Sequence, residues 1–409
     1  MPVDVDALVQ DLESFGGTLV DPDGGLEGID DDEDGVELEL VVDDDWVEFR
    51  LPEPGMGLES TEPTLIRFAD LKGNRIHENL AKLDRTLTPN AGTLRLLTPA
   101  GRLVPLRGQL SGRTLLIVHG TFSRSDTVMD ALRTGDNGDD GLLARMQQVY
   151  DQVITFDYCT LSRQAPANAM QLTRLLAAHV PGHIDVISHS QGGLVTRFWL
   201  ELLDPARLAT TRSVFVAGTL GGTSLAAPPA IRGALTYLGN LSRVVAVGSG
   251  VVSLGIPGIG AVGQLFSILQ VGTALLSGPP IVDAGVALVP GLQGMSRVGS
   301  NAEIVELRAS MAAVPDGYYA VSGAFSPQKV GWKFWKSWMT RLANLGADRL
   351  FQGEHDLVVD TVSHTALSDT LVIPSDRVLK FEAGEQPVYH TNYFGHPRTR
   401  AHLKTCLGL

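Results

Sequence analysis

The sequence predicts an α/β protein whose core is a mostly parallel sheet with helices on both faces. From residue 111 onward, short apolar runs of strand length alternate with stretches in which apolar residues recur at helical spacing. Hydrophobic residues make up 44% of the 409-residue chain and charged residues 19%, enough apolar material for a sizeable core. Alternation of this kind sets parallel strands side by side, and the connecting helices cover the two faces.

Six apolar runs after residue 111 are predicted strands. They are TLLIVHG (114–120), QVITFDY (152–158), HIDVISHS (183–190), SVFVAGTL (213–220), YYAVSGAF (318–325) and RVLKFEA (377–383). Helices are predicted at GLLARMQQVY (141–150), NAMQLTRLLAAHV (168–180), QGGLVTRFWLELL (191–203) and the closing HPRTRAHLKTCLGL. The helix over 191–203 is expected to end at Asp204-Pro205, because proline cannot continue a helix.

Residues 1–110 are predicted to form an acidic, β-rich N-terminal region, and residues 111–409 the main domain. Two short strands are expected around Asp43–Asp45, and a hairpin over 92–108 that turns at Pro99-Ala100-Gly101. Residues 1–60 hold 20 acidic residues and one basic residue, a net charge of −19, whereas the remainder holds 26 acidic and 31 basic residues, a net charge of +5. No basic stripe accompanies this distribution, which argues against nucleic acid as a partner.

A long apolar insertion at about 225–300 interrupts the alternation of strands and helices. Its stretch Val244–Val282 has no charged residue but contains eight glycines and three prolines. A membrane-spanning helix needs about 20 apolar residues in a row. The glycines and prolines favour a mobile apolar cap over a span, and contact of this cap with a membrane surface is left open. An insertion at this point would lie above the carboxyl ends of the strands, where open α/β sheets bind ligands.

The cysteine content and the first residues predict a cytoplasmic location. Cys159 and Cys406 form no CxxC motif and imply no disulfide framework. The first 20 residues carry four acidic residues and no basic residue, unlike a signal peptide. Both features are typical of a protein kept in a reducing compartment.

The motif Ser188-His189-Ser190-Gln191-Gly192 joins a predicted strand to a predicted helix. A nucleophile elbow needs this context, because a sharp strand-to-helix turn lifts the central serine clear of the sheet. Small residues two before and two after the serine avoid clashes in the strained turn. We therefore predict Ser190 as a nucleophile at a helix N-terminus, whose partial positive charge favours developing anions. A Gly-rich turn without chemistry is the alternative interpretation.

A second motif, IVHGTFS (117–123), ends an earlier strand and predicts an oxyanion hole. Acyl transfer needs two backbone N–H donors directed at the tetrahedral oxygen. One is expected from the residue after the nucleophile, Gln191, and the other from the loop after this strand, at Thr121. Gly120 lets the loop approach the substrate, and His119 is interpreted as a structural side chain.

The base and the acid are expected in the order serine, acid, histidine along the chain. His390, in the loop VYHTNYF, is the predicted base, and His396 is the main alternative. Asp356 in GEHDLVVDTVS (353–363) is the predicted acid, which would fix the imidazole tautomer and stabilise the imidazolium. The remaining candidates for the acid are Asp360 and Glu354. The Trp-rich segment GWKFWKSW (331–338) lies between the preceding strand and these acids.

Taken together, VHGTF, SHSQGG, GTLGGTSLA (218–226), HDLVV and HTNYF resemble the lipase-like branch of the α/β-hydrolase superfamily over residues 111–409. The resemblance implies an α/β-hydrolase fold with a cap insertion, and Ser190, Asp356 and His390 as the catalytic triad. It also implies hydrolysis of a carboxylic ester through an acyl-enzyme. Ser188 in place of the usual glycine, and the long insertion, depart from the simplest pattern.

The expected substrate is a small-molecule or lipid ester with an apolar acyl group, and the mechanism requires no metal or organic cofactor. Apolar residues of the insertion are expected to line an acyl site: Val251, Val252, Leu254, Ile256, Leu265, Phe266, Ile268 and Leu269. Thioesterase, amidase and acyltransferase activities use the same triad. A catalytically inactive scaffold that serves as a binding or signalling module, and a protein anchored in a membrane by residues 244–282, are the alternatives from other classes. The sequence does not define the oligomeric state.

Overall fold

A computed structural model of the chain describes residues 3–20, 36–43, 46–50, 64–68, 71, 75–133, 141–179, 181–224, 235–241, 258–274, 289–296, 301–325, 353–382 and 388–409. Several residues discussed above lie outside the described residues: the acidic run 29–35, the Trp-rich segment 331–338, Val251, Val252, Leu254 and Ile256.

The N-terminal region contains a small antiparallel sheet of four strands. They are β1 Gly17–Val20, β2 Val36–Asp43, β3 Trp46–Arg50 and β4 Thr64–Phe68. Their order in the sheet is β1-β4-β2-β3, and every neighbouring pair runs antiparallel. The two strands predicted on either side of Asp43–Asp45 are confirmed as β2 and β3.

The main sheet has eight strands. They are β5 Thr93–Leu97, β6 Leu103–Pro105, β7 Arg113–Val118, β8 Gln152–Asp157, β9 His183–His189, β10 Ser213–Val216, β11 Tyr318–Gly323 and β12 Val378–Phe381. Five of its seven neighbouring pairs are parallel, in the order β12-β11-β10-β9-β7-β8, and this confirms the predicted mostly parallel sheet. The central strands are buried along almost their whole length, as expected for a sheet covered on both faces.

The predicted hairpin over 92–108 is present, and it belongs to the main sheet. β5 and β6 pair antiparallel, and β5 also pairs antiparallel with β8 at the end of the parallel array. Gly101 has a φ of 73° in the turn, a backbone conformation that glycine adopts without strain. The main sheet therefore begins before residue 110, while the division of the chain at that residue stays a prediction.

Helices cover the main sheet and connect its strands. The α-helices are Val5–Ser14, Ile76–Leu87, Ser125–Arg133, Leu142–Val149, Ala165–His179, Gly192–Arg197, Pro205–Leu208, 235–241, Ile259–Ala274, Pro290–Gln293, Ala302–Ala309 and Pro397–Leu407. The helix that starts at Gly192 continues as a π-helical turn, Phe198–Leu203, and ends before Pro205 as predicted. Short 3-10 turns occupy Thr361–His364, Ser375–Arg377 and Tyr393–Gly395.

The helix Ile259–Ala274 of the insertion packs against the N-terminal region. The Gly260 N–H donates to Asp11 Oδ2 at 2.8 Å, so the helix starts against the first helix of the chain. A Cβ built on Gly263 would be 2.8 Å from the Phe49 ring and 3.0 Å from the Phe68 ring, so the helix lies directly on the small sheet. Leu265, Phe266, Ile268 and Leu269 are all buried. Within the described ranges, no helix is long and apolar enough to cross a membrane.

The edge of the small sheet is capped by a side chain of the insertion. Asn240 Nδ2 donates to the Val47 carbonyl at 2.6 Å, and the Val47 N–H donates to Asn240 Oδ1 at 2.8 Å. Val47 lies in β3, the last strand of the sheet. Asn240 therefore provides one donor and one acceptor of the kind a neighbouring strand would provide.

Candidate active site

Ser190 lies in the turn between β9 and the helix Gly192–Arg197. Its φ is 53°, in the left-handed region that non-glycine residues rarely adopt. Strained residues of this kind cluster at functional sites and cost roughly 1–3 kcal/mol each. A Cβ built on Gly192 would lie 2.5 Å from the His119 carbonyl oxygen and 2.6 Å from the Val118 carbonyl oxygen. The glycine after the serine is therefore required by the close approach of β7.

The loop after β7 lies directly against the serine. A Cβ built on Gly120 would be 2.6 Å from Ser190 Cβ, so only glycine fits there. The backbone N–H groups of Thr121 and Gln191 donate to no acceptor in the part of the chain that the structure describes. Two unused donors are thus carried by the two residues that the sequence predicts for an oxyanion hole.

Gln191 is held by its side chain, which connects two loops around the elbow. Gln191 Nε2 donates to the Gly291 carbonyl at 3.0 Å and to the Thr160 carbonyl at 3.4 Å. Thr121 Oγ1 in turn lies 3.3 Å from Met295 Sδ. Gly291 and Met295 belong to the insertion, so its segment 289–296 lies against the Gln191 side chain and the loop after β7.

Asp356 and His390 are brought together in the buried interior. His390 Nδ1 lies 2.8 Å from Asp356 Oδ2, and the His390 N–H donates to the Asp356 carbonyl at 2.9 Å. Asp356 Oδ1 accepts from the N–H groups of Val358 and Val359. Burial alone would raise the pKa of this carboxyl, but His390 and His364 hold the pKa well below its usual range. Asp356 is therefore ionised at neutral pH.

The second nitrogen of His390 is unused. His390 Nε2 is buried and has no hydrogen-bond partner among the described residues. The ring lies 4.8 Å from the ring of His189, the residue directly before Ser190. His189 Nε2 donates to the His390 carbonyl at 3.0 Å, which fixes the His390 loop to the end of β9. Burial and the neighbouring His390 lower the pKa of His189 to about 3, so His189 is neutral.

His119 has a structural environment, in agreement with its sequence interpretation. Its Nδ1 donates to the Gly120 carbonyl at 2.9 Å, and its Nε2 accepts from the Tyr158 N–H at 3.3 Å. The Tyr158 ring stacks on it at 4.4 Å. Burial lowers the pKa of His119. This neutral side chain supports the loop that carries Thr121.

The alternative acids and bases lie in other environments. The Asp360 carboxylate accepts from the Ser224 N–H at 2.8 Å and from Ser224 Oγ at 3.1 Å, and Glu354 is exposed. His396 caps the last helix, where its Nδ1 accepts from the Arg398 N–H at 3.1 Å. The structure thus pairs Asp356 with His390, and it gives Asp360 and His396 other hydrogen bonds.

Two further side chains reach Asp356 that the sequence did not single out. Tyr393 Oη and His364 Nε2 each lie 3.3 Å from Asp356 Oδ2. Tyr393 stands in the motif HTNYF, but a pattern in one sequence does not show that its hydroxyl turns back to the acid. His364 follows Asp356 by eight residues, and only the 3-10 turn Thr361–His364 brings it back.

No group of three or more His, Cys, Asp or Glu side chains within the described ranges is arranged to hold a metal ion. Cys159 and Cys406 are free cysteines.

The parallel order of the main sheet, the strained serine after β9 and the later pair Asp356 and His390 together define the α/β-hydrolase fold. Within this class, the chain belongs to the family described as "Domain of unknown function (DUF7379)", whose model matches residues 96–408. The match begins inside β5, so it includes the end of β5, the hairpin turn and β6. No curated protein matches the chain.

Several solved structures are similar to the chain. A Bacillus licheniformis lipase, BlEst2, is 12% identical with a TM-score of 0.34, over 78% of this chain and 97% of that chain. The esterase RhEst1 from Rhodococcus sp. ECU1013 is 16% identical with a TM-score of 0.37, over 77% and 98%. The metagenomic carboxyl esterase MGS0156 is 20% identical with a TM-score of 0.33, over 77% and 79%. Similarity at this level does not define a substrate, and the fold assignment rests on the strand order and the site.

Proposed function

We propose that the protein is a serine hydrolase that cleaves carboxylic esters with apolar acyl groups through an acyl-enzyme. The observation that carries this proposal is the hydrogen bond of 2.8 Å between Asp356 and His390, which leaves His390 Nε2 buried and unused beside the elbow. A base held in this way by a buried carboxylate is suited to take the proton of Ser190.

The reaction would proceed in two steps. Ser190 Oγ attacks the acyl carbonyl while His390 Nε2 accepts its proton, and the N–H groups of Thr121 and Gln191 stabilise the oxyanion. His390 then protonates the departing alkoxide, so the alcohol leaves and the acyl group stays on Ser190. Water, deprotonated by the same histidine, cleaves the acyl-enzyme and restores the serine. The neighbours named as lipase and esterases are consistent with this chemistry.

An apolar acyl group is favoured by the side chains around the loop after β7. Met295 contacts Thr121, Phe122 follows it with little exposed surface, and Leu292 is buried in the same segment of the insertion. Such a lining stabilises an acyl chain by removing it from water. The helix Ile259–Ala274 has its packing partners in the N-terminal region, so the segment 289–296 is the better candidate for the acyl contact.

The first test is covalent labelling of the full chain with a fluorophosphonate, followed by mapping of the adduct by mass spectrometry. We expect labelling at Ser190 that is lost in Ser190→Ala and His390→Ala and reduced in Asp356→Asn. Ser188→Ala is the matched control, because Ser188 stands two residues away on β9 and should not affect labelling. A folded protein that stays unlabelled would contradict the proposal and favour a non-catalytic scaffold.

Substrate class is tested with p-nitrophenyl esters of increasing acyl length, beside matched thioester and amide substrates. The proposal expects kcat/KM to rise from acetate to butyrate or longer chains, and ester cleavage to exceed amide cleavage. Preference for the thioester or for acetate would contradict the proposal that the substrate is an ester with an apolar acyl group. It would leave the proposed catalytic triad unaffected.

A further inference from the structure

Asp356 Oδ2 is shared by three side chains. His390 Nδ1 lies 2.8 Å away, Tyr393 Oη 3.3 Å, and His364 Nε2 3.3 Å. His364 stands beside the same oxygen, with its ring fully buried. Asp356 therefore has a second buried histidine beside it, in addition to His390, and this arrangement calls for a physical explanation.

His364 is itself held in a defined orientation. Its Nδ1 lies 3.1 Å from Ser322 Oγ, and Ser322 lies in β11 of the main sheet. The ionised Asp356 beside Nε2 favours the tautomer that carries its hydrogen on Nε2, and the Ser322 hydroxyl can then donate to Nδ1. The Tyr393 ring meets the His364 ring edge-on at 6.4 Å, which further limits its rotation.

Other titratable groups around Asp356 and His390 keep one charge state near neutral pH. Burial and the charge of Asp356 raise the pKa of Tyr237 and Tyr393, so both stay protonated. Burial lowers the pKa of His189 and His355, so both stay neutral. Asp360 is bonded to Ser224 and is near His355.

Resting on the proposed function, we infer that His364, oriented by Ser322, is a second histidine of the active site whose Nε2 edge faces Asp356 and modulates the interaction of this carboxylate with His390. His364 does not touch the reacting atoms, so it is a positioning residue. Its Nε2 edge, 3.3 Å from Asp356 Oδ2 but outside hydrogen-bond geometry, weakens the field of the carboxylate at His390. The base therefore returns its proton to the leaving group more readily than it would beside an isolated Asp356.

Two variants separate this role from packing. His364→Gln keeps an amide N–H that reaches Asp356 and an oxygen that can accept from Ser322, whereas His364→Met has similar volume but no donor. We expect His364→Met to lower kcat about tenfold with KM within twofold, and to move the acid limb of the kcat/KM profile up by at least 0.5 pH unit. His364→Gln should keep most of the wild-type kcat, and the acid limb of its kcat/KM profile should stay at the wild-type pH.

A readout independent of turnover is the titration of the His390 ring, followed by ¹⁵N NMR in the full chain. The midpoint for His390 should rise in His364→Met and return toward wild type in His364→Gln. An unchanged midpoint and acid limb in a folded His364→Met variant would overturn the inference. Absence of fluorophosphonate labelling at Ser190 in the wild-type protein would instead overturn the proposed function. The NMR titration of His390 would still decide the role of His364.

Discussion

The end of the main sheet that carries Ser190 and the N-terminal region with its insertion helix are built in different ways. Around Ser190 the geometry is set by close backbone approach, as at Gly120 and Gly192, and by buried polar side chains in pairs. Around Ile259–Ala274 it is set by apolar packing, with Phe49 and Phe68 against Gly263. Substitutions that displace atoms in the first region should therefore lower activity. Substitutions in the second region should instead lower the free energy of unfolding.

The largest expected effect is at the acid. Asp356→Asn keeps the shape of the side chain but favours the wrong tautomer of His390, so kcat should fall about 10⁴-fold. Steady-state hydrolysis of p-nitrophenyl butyrate measures it. Asp360→Asn is the matched control, since the Asp360 carboxylate bonds to Ser224 and a loss below about tenfold is expected. A larger loss of kcat in Asp360→Asn would indicate that Asp360, and not Asp356, is the acid that pairs with the base.

The corresponding change in the N-terminal region is Phe68→Ala. Phe68 is almost fully buried in β4, and removal of such a ring costs about 3–5 kcal/mol of the free energy of unfolding. Chemical denaturation measures the loss, with Leu19→Ala on the exposed side of β1 as the control. We expect kcat of the folded variant to stay within about threefold. A fall of kcat by orders of magnitude would break the comparison between the regions.

Acid should destabilise the site through His189. Its pKa is lowered to about 3 by burial, against an ordinary value of 6.5. The unfolded chain binds this proton and the folded protein does not, so the stability is present above pH 6.5 and is lost as pH falls toward 3. Roughly 3 kcal/mol should disappear between pH 6.5 and 4. Denaturation across this range should show a shallower pH dependence in His189→Gln, and an identical dependence would argue against a neutral His189.

Gly120→Ala probes the close approach at the serine. The added Cβ would stand 2.6 Å from Ser190 Cβ, so either the loop or Ser190 must move. A displacement near 1 Å costs about 100-fold in rate. Gly221→Ala is the control, because its Cβ would meet other atoms only at 3.5 Å or beyond. Equal kcat/KM in the two variants would show that the loop is free to shift.

The smallest effect concerns Asp11, where the insertion helix meets the first helix. Burial raises the pKa of this carboxyl and outweighs the hydrogen bonds from Gly260 and Ile259. Here the folded state binds the proton more tightly, so stability is lost as pH rises, opposite to His189. Asp11→Asn should raise the melting temperature at pH 7 by on the order of 1 °C, with no gain near pH 4. A decrease at pH 7 would mean that the charge itself holds the helix.

The sequence predicted the parts of the molecule that depend on local pattern. Apolar runs with helical neighbours gave the strands β7 to β12, and the small residues around Ser190 predicted the turn that the structure has. The contacts of His364, Tyr393 and Ser322 were not predicted, because they depend on how the loops after β11 and β12 meet in space. The hairpin was found but assigned to the N-terminal region, since the pairing of β5 with β8 joins residues about 60 apart.

The amide of Asn240 has a consequence for the behaviour of the protein at high concentration. A terminal strand such as β3 offers unpaired backbone groups on which another chain can add a strand. Because Asn240 occupies both groups of Val47, an incoming chain would have to displace a buried side chain before it could pair there. Strand addition at this edge therefore competes with the Asn240 hydrogen bonds, a consequence of the insertion that is unrelated to substrate.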